Sequence, residues 1–108
     1  MLEISPRKVA YVILQAREMH ATKNELSAFI RGLNTDEQAA LVAVMWIGRD
    51  TYDAADLDEA MATAREEATI PTEQYLLGVP LLSDYLEEGL EKLGIDPSED
   101  EDDLLAHH

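Results

Sequence analysis

A chain of 108 residues suffices for one hydrophobic core and therefore one domain. Its 23 acidic and 8 basic residues give a formal charge of −15. That charge argues against direct binding to nucleic-acid phosphates or anionic membranes, because both need clustered Lys and Arg. The absence of cysteine excludes disulfides, iron–sulfur clusters and Cys-ligated zinc.

Alanine and leucine (14 and 15 residues) outnumber valine and isoleucine (11 together), which favours helix over strand. Ser5-Pro6 opens the first predicted helix, with a capping hydroxyl before a proline whose missing N–H costs nothing there. Val9, Val12, Ile13, Ala16 and Met19 follow at helical spacing, and His20 closes this helix. Thr22 and Glu25 have capping-box spacing and lead into Leu26, Phe29, Ile30 and Leu33, with Gly32 and Asn34 near the stop. Thr35 and Gln38 predict a second capping box for the third helix.

From Ala39 to Ile47 that third helix is apolar on every side, which marks it as surrounded by other helices, and Gly48 is its expected C-terminal cap. Asp53 is expected to cap a fourth helix running to about Ala68, with Leu57, Ala60, Met61, Ala64 and Ala68 inward. Pro71 stops it, and Thr72–Gly78 forms one short helical turn. The last helix begins near Pro80, carries the stripe Leu82, Tyr85, Leu86, Gly89, Leu90 and Leu93, and ends at Gly94.

The predicted class is all-α: a compact bundle of five or six short helices around a central apolar one. The domain covers residues 1–95, and an acidic flexible tail covers 96–108. Residues 1–95 contain 17 acids and 8 bases, a net −9, so the domain is acidic without its tail. No targeting segment is expected. Arg7-Lys8 before Val9–Leu14 imitates one, but Glu3 and Pro6 precede it and Gln15, Arg17 and Glu18 cut the apolar run short.

Chemistry-bearing patterns are scarce. Asp50, Asp53, Asp56, Asp58 and Glu59 are dense enough to test as a calcium loop. Counted from Asp50, however, the third, sixth and twelfth positions are Tyr52, Ala55 and Met61, and the pattern fails. His20, His107 and His108 do not form a zinc-ligand pattern. The serines lie in no nucleophile elbow, and the glycines form no phosphate-cradling loop. No catalytic, cofactor-binding or metal-binding residue is expected.

Two places stand out. Arg49 follows Trp46 by three residues, and its structural role would be to satisfy the last carbonyls of the central helix. Tyr75 and Tyr85 frame the bend Gly78-Val79-Pro80, which is more apolar than a connection needs. This fits core packing around a turn or an aromatic-rimmed groove for a partner.

Ile4-Ser5-Pro6 with Val9-Ala10, Phe29-Ile30 with Leu33-Asn34, Asp36-Glu37-Gln38 through Leu41-Val42-Ala43, Met45-Trp46, Gly48-Arg49, Tyr75-Leu76-Leu77-Gly78, Pro80-Leu81-Leu82, Asp84-Tyr85-Leu86 and Glu87-Glu88-Gly89-Leu90 resemble a bacterial family, domain of unknown function 3775. The resemblance covers about residues 3–94. Family members often carry a longer acidic connection between the first two helices, where this chain has only Met19–Asn24. The resemblance implies a bacterial cytoplasmic domain and carries over no activity, cofactor or catalytic residue.

The expected function is a non-enzymatic protein-interaction or regulatory module that binds a basic protein surface. Arg49, Tyr75, Asp84, Tyr85, Glu87, Glu88 and Glu91 are its candidate contact residues. A small-molecule binder or small enzyme using Arg49, the tyrosines and a carboxylate such as Asp84 is the alternative. A DNA mimic ranks below both.

Overall fold

The structure, a computed structural model, describes residues 2–95, with residues 19–22 described by their backbone alone. The expected tail, 96–108, and with it His107 and His108, lies outside the described residues. Among the described residues there are six α-helices: α1 Pro6–Arg17, α2 Met19–Gly32, α3 Thr35–Gly48, α4 Leu57–Glu66, α5 Thr72–Leu77 and α6 Leu82–Lys92. A 3₁₀ turn, Ala54–Asp56, precedes α4.

The start of α1 is as the sequence predicts. The Ser5 hydroxyl accepts the Lys8 N–H at 3.1 Å, Pro6 occupies the first helical position, and Val9, Ala10, Val12 and Ile13 are buried. The boundary with α2 is not. α1 ends at Arg17, one non-helical residue (Glu18, φ −110°, ψ 32°) turns the chain, and α2 begins at Met19. Thr22 therefore lies inside α2 and His20 in its first turn. The Ala-, Lys- and Glu-containing sequence after Glu18 favours helix, so the chain restarts without waiting for a capping residue.

The cap of α3 is shifted by one residue from the predicted box. Asn34 Oδ1 accepts the Glu37 N–H at 2.7 Å, and Glu37 Oε1 accepts the Asn34 N–H at 3.1 Å. Asn34 has the extended backbone (ψ 170°) that a cap needs, and Thr35 is already helical. Gln38 is thereby free to reach back to α2, where its Nε2 donates to Ile30 O and Leu33 O at 3.1 Å each. One side chain of α3 thus bonds two carbonyls at the end of α2, of which Ile30 O also accepts the Leu33 N–H.

Every residue of α3 from Ala39 to Gly48 is buried, so it is the central helix. It packs chiefly on α6 and α4, while α1 lies on α6 and α2 on α5 and α1. The contact with α6 needs two glycines. A Cβ on Gly48 would lie 1.8 Å from Tyr85 O, and one on Gly89 would lie 2.1 Å from Val44 O. Gly48, expected as a cap, is instead a contact residue at this crossing. The cap itself is a Schellman motif: Thr51 N–H donates to Trp46 O (2.8 Å), Asp50 N–H donates to Ile47 O (3.1 Å), and Asp50 takes the left-handed position at φ 68°. α6 ends in the same motif around Gly94 at φ 77°, as the sequence predicts.

α4 is shorter than expected. Asp53 makes no side-chain capping bond and stands before the 3₁₀ turn. Ala60, Met61 and Ala64 are buried, but the helix stops at Glu66 and leaves Ala68 exposed. β-Branched Thr69 and Ile70, followed by Pro71, disfavour its continuation.

Charged side chains tie the periphery together. Lys8 donates to Glu37, Arg17 pairs with Glu87 at 2.7 Å, and Arg65 holds both Glu3 (2.8 Å) and Asp36 (2.9 Å). The Lys8 hydrogen bond, with the Asn34 N–H, holds the Glu37 carboxyl below the usual glutamate range.

Gly89→Ala should lower stability by on the order of 3 kcal/mol, because the added methyl meets a backbone carbonyl that cannot move aside. Gly32→Ala, where a Cβ meets nothing within 4 Å, should be neutral or stabilise by up to about 1 kcal/mol. Urea unfolding of both variants checks the contrast. Because the Glu37 pKa is depressed by folding, its contribution is complete above the ordinary glutamate pKa and is lost as pH falls through the lower folded value. The melting temperature of Glu37→Gln should therefore fall less than that of the parent across this acid range.

Candidate interaction surface

The residues singled out from the sequence divide between two places. The first is built on the last turn of α3. Trp46 is 9 % exposed, and its Nε1–H donates to Tyr75 Oη at 2.9 Å, which joins α3 to α5. Tyr52 stacks on the indole, with ring centroids 5.7 Å apart and planes inclined by 25°. The Tyr52 hydroxyl donates to Thr63 Oγ1 at 3.1 Å, which ties the stack to α4.

Beside this aromatic group lies an open cleft of about 180 Å³. Buried Val42, Trp46 and Ala64 form its inner part, half-buried Tyr75 and Thr72 its side, and exposed Glu67, Ala68, Thr69 and Ile70 its lip. The cleft exists because α4 stops at Glu66 and the chain swings out to Pro71 before α5 resumes against Trp46.

The second place is where the α3–α4 connection meets the end of α6. Lys92 Nζ donates to Ile47 O at 3.3 Å and to the Asp50 carboxylate. It thus takes the carbonyl-capping role that the sequence suggested for Arg49. Arg49 is exposed, and its Nε–H donates to Thr51 Oγ1 at 3.2 Å. The hydrogen bond to Asp50, with the fields of Asp50, Glu88 and Asp53, holds the Lys92 ammonium above the usual lysine range against the opposing effect of desolvation. Of these carboxylates only Asp50 is bonded to the ammonium, while exposed Asp53 and Glu88 act on it through space.

Asp84, Glu88 and Glu91 are exposed on α6, whereas Glu87 is half-buried and paired with Arg17. Half-buried Tyr85 turns its carbonyl toward Gly48. The cleft at Tyr75 includes neither Tyr85, Arg49 nor Asp84. Sequence reasoning missed the partnership of Trp46 with Tyr75, 29 residues apart, and the place of Glu67 at the cleft. The one local signal for the latter was Glu66-Glu67 at the C-terminal end of a helix, where the dipole favours cations. Among the described residues no three His, Cys, Asp or Glu side chains converge to hold a metal ion, and no helix is long and apolar enough to cross a membrane.

Trp46→Ala should cost on the order of 3–5 kcal/mol, typical of removing a large buried aromatic. Tyr75→Phe should cost about 1–3 kcal/mol by leaving the indole N–H without its partner. Chemical denaturation measures both, and parent fluorescence should be blue-shifted and poorly quenched by iodide. Emission like that of free tryptophan would contradict the burial of this ring.

No curated protein and no solved structure matches the chain. A family model described as "Protein of unknown function (DUF3775)" matches residues 23–95, from within α2 to just past α6 and well over half of the sequence. The chain therefore belongs to that family, as the resemblance led us to expect, and the matched stretch includes the α3–α6 crossing, the aromatic cleft and the acidic residues of α6, though not the Ile4–Ala10 block of that resemblance.

Proposed function

We propose that the domain is a non-enzymatic protein-interaction or regulatory module whose acidic surface binds a more basic protein. The observation that carries this reading is how the bases are used. Lys8, Arg17, Arg65 and Lys92, half of the chain's basic residues, are bound by its own carboxylates. Asp50 and Asp53, just after α3, and Glu88, near the end of α6, are exposed. A field of this sign attracts a basic surface and repels phosphates. The reading includes a bacterial cytoplasmic setting, which the resemblance implies and a cysteine-free sequence suits.

Binding of a lysine-rich peptide should weaken steeply as salt rises, since exposed charges are screened over about 8 Å at physiological ionic strength. Asp53→Asn and Glu88→Gln together should weaken it several-fold without lowering the melting temperature. Glu25→Gln and Asp58→Asn, on exposed positions of α2 and α4, should not. Equal losses from the two pairs of changes would mean that the charge serves solubility alone, and the reading would fail.

A further inference from the structure

We infer that the cleft beside Trp46 receives a single arginine side chain from a protein partner, an inference that rests on the acidic-module reading and specifies its anchor. Size is the first constraint. A cleft of about 180 Å³ is close to the roughly 150 Å³ cavity that holds one benzene, and well below the 300 Å³ or more typical of cofactor and drug-sized ligands. It fits one side chain.

Charge is the second. α4 ends in Glu66 and Glu67, which adds two carboxylates to the negative end of a helix dipole. The basic residue of that last turn does not offset them, because the Arg65 guanidinium is engaged by Glu3 and Asp36. The Glu67 carboxylate, at the lip, has no ion-pair partner among the described residues. A cation entering here meets Glu67, the negative end of a helix dipole and two aromatic residues, Trp46 and Tyr75.

Shape chooses between the two basic side chains. The stem of an arginine lies along apolar surface such as that of Val42 and Ala64. Its planar guanidinium stacks on an indole or phenol ring more readily than an ammonium does. Five fixed N–H donors also suit a cleft lined by Glu67, Thr69 and Thr72, whose side-chain oxygens are all acceptors.

The test uses the full chain, labelled with ¹⁵N, and a synthetic peptide of alternating lysine and alanine around one central arginine. The indole N–H resonance of Trp46, the only tryptophan, reports on the cleft directly. It should shift saturably with this peptide. Replacing the arginine by citrulline, its neutral isostere, should weaken binding about tenfold, as should Glu67→Gln in the protein, the loss of one charge-assisted hydrogen bond. Ala68→Phe, at an exposed position on the lip, should abolish the indole shift at an unchanged melting temperature. An unmoved indole resonance, or equal binding of the arginine, lysine and citrulline peptides, overturns the cleft assignment even if salt-sensitive binding at the acidic end of α6 persists. Binding of none of these peptides at low salt overturns the acidic-module reading as well. If free butylguanidinium moves the resonance as strongly as the peptide does at equal concentration, the ligand is a small cation and the assignment to a protein partner fails.

Discussion

Backbone meets backbone where α3 and α6 cross, with no side chain between them at Gly48 and Gly89. The carbonyl of Tyr85 occupies the space a Cβ of residue 48 would need, and the carbonyl of Val44 does the same for residue 89. This approach fixes the other contacts of both helices. It turns Leu82, Leu86 and Leu90 into the core and brings Lys92 over the last turn of α3. It also presents the outer face of α6 to α1, where Arg17 meets Glu87. Small residues at a helix contact gain dispersion over a long interface at the cost of the extra backbone freedom that glycine loses on folding.

Several helix ends in this protein gain, beside their local caps, bonds from neighbouring elements. Gln38 of α3 bonds the carbonyls at the end of α2, Lys92 of α6 bonds one at the end of α3, and Lys8 of α1 holds the Glu37 that caps α3. Each exposed ion pair contributes little by itself. Their shared effect is on charge: cations are drawn into joints between helices, and most carboxylates remain outside. A chain with 17 acids and 8 bases in residues 1–95 thus folds with half of its bases paired to its own carboxylates and many acids exposed, Glu73 being a buried exception.

The end of α4 departs from this pattern. Two glutamates lie where the dipole favours a cation, and the one arginine of that turn is directed elsewhere. The same early stop opens the cleft at Trp46 and exposes Ile70, which is 50 % accessible. Unfavourable electrostatics, an aromatic wall and an exposed apolar residue coincide at one place, where a chain selected for stability alone would gain from a lysine and a shorter connection.

What the sequence alone determined is what neighbouring residues decide. Ser5-Pro6 starts α1, Gly94 ends α6, the unbroken apolar run makes α3 central, and the α6 stripe lies inward, because caps and periodicity act within a few residues. The family, too, was recognisable from short blocks in α3, α5 and α6. Tertiary structure decided the rest. A glycine after an apolar helix reads locally as a cap, and only the approach of α6 makes Gly48 a contact residue. Arg49 lies next in sequence to the carbonyls it was expected to satisfy, yet Lys92 reaches one of them from 45 residues away. Tyr75 and Tyr85 flank one bend in the chain, but packing gives Tyr75 to Trp46 in a cleft that Tyr85 does not line. In each case local chemistry offered a residue more than one partner, and the packing of remote helices chose between them.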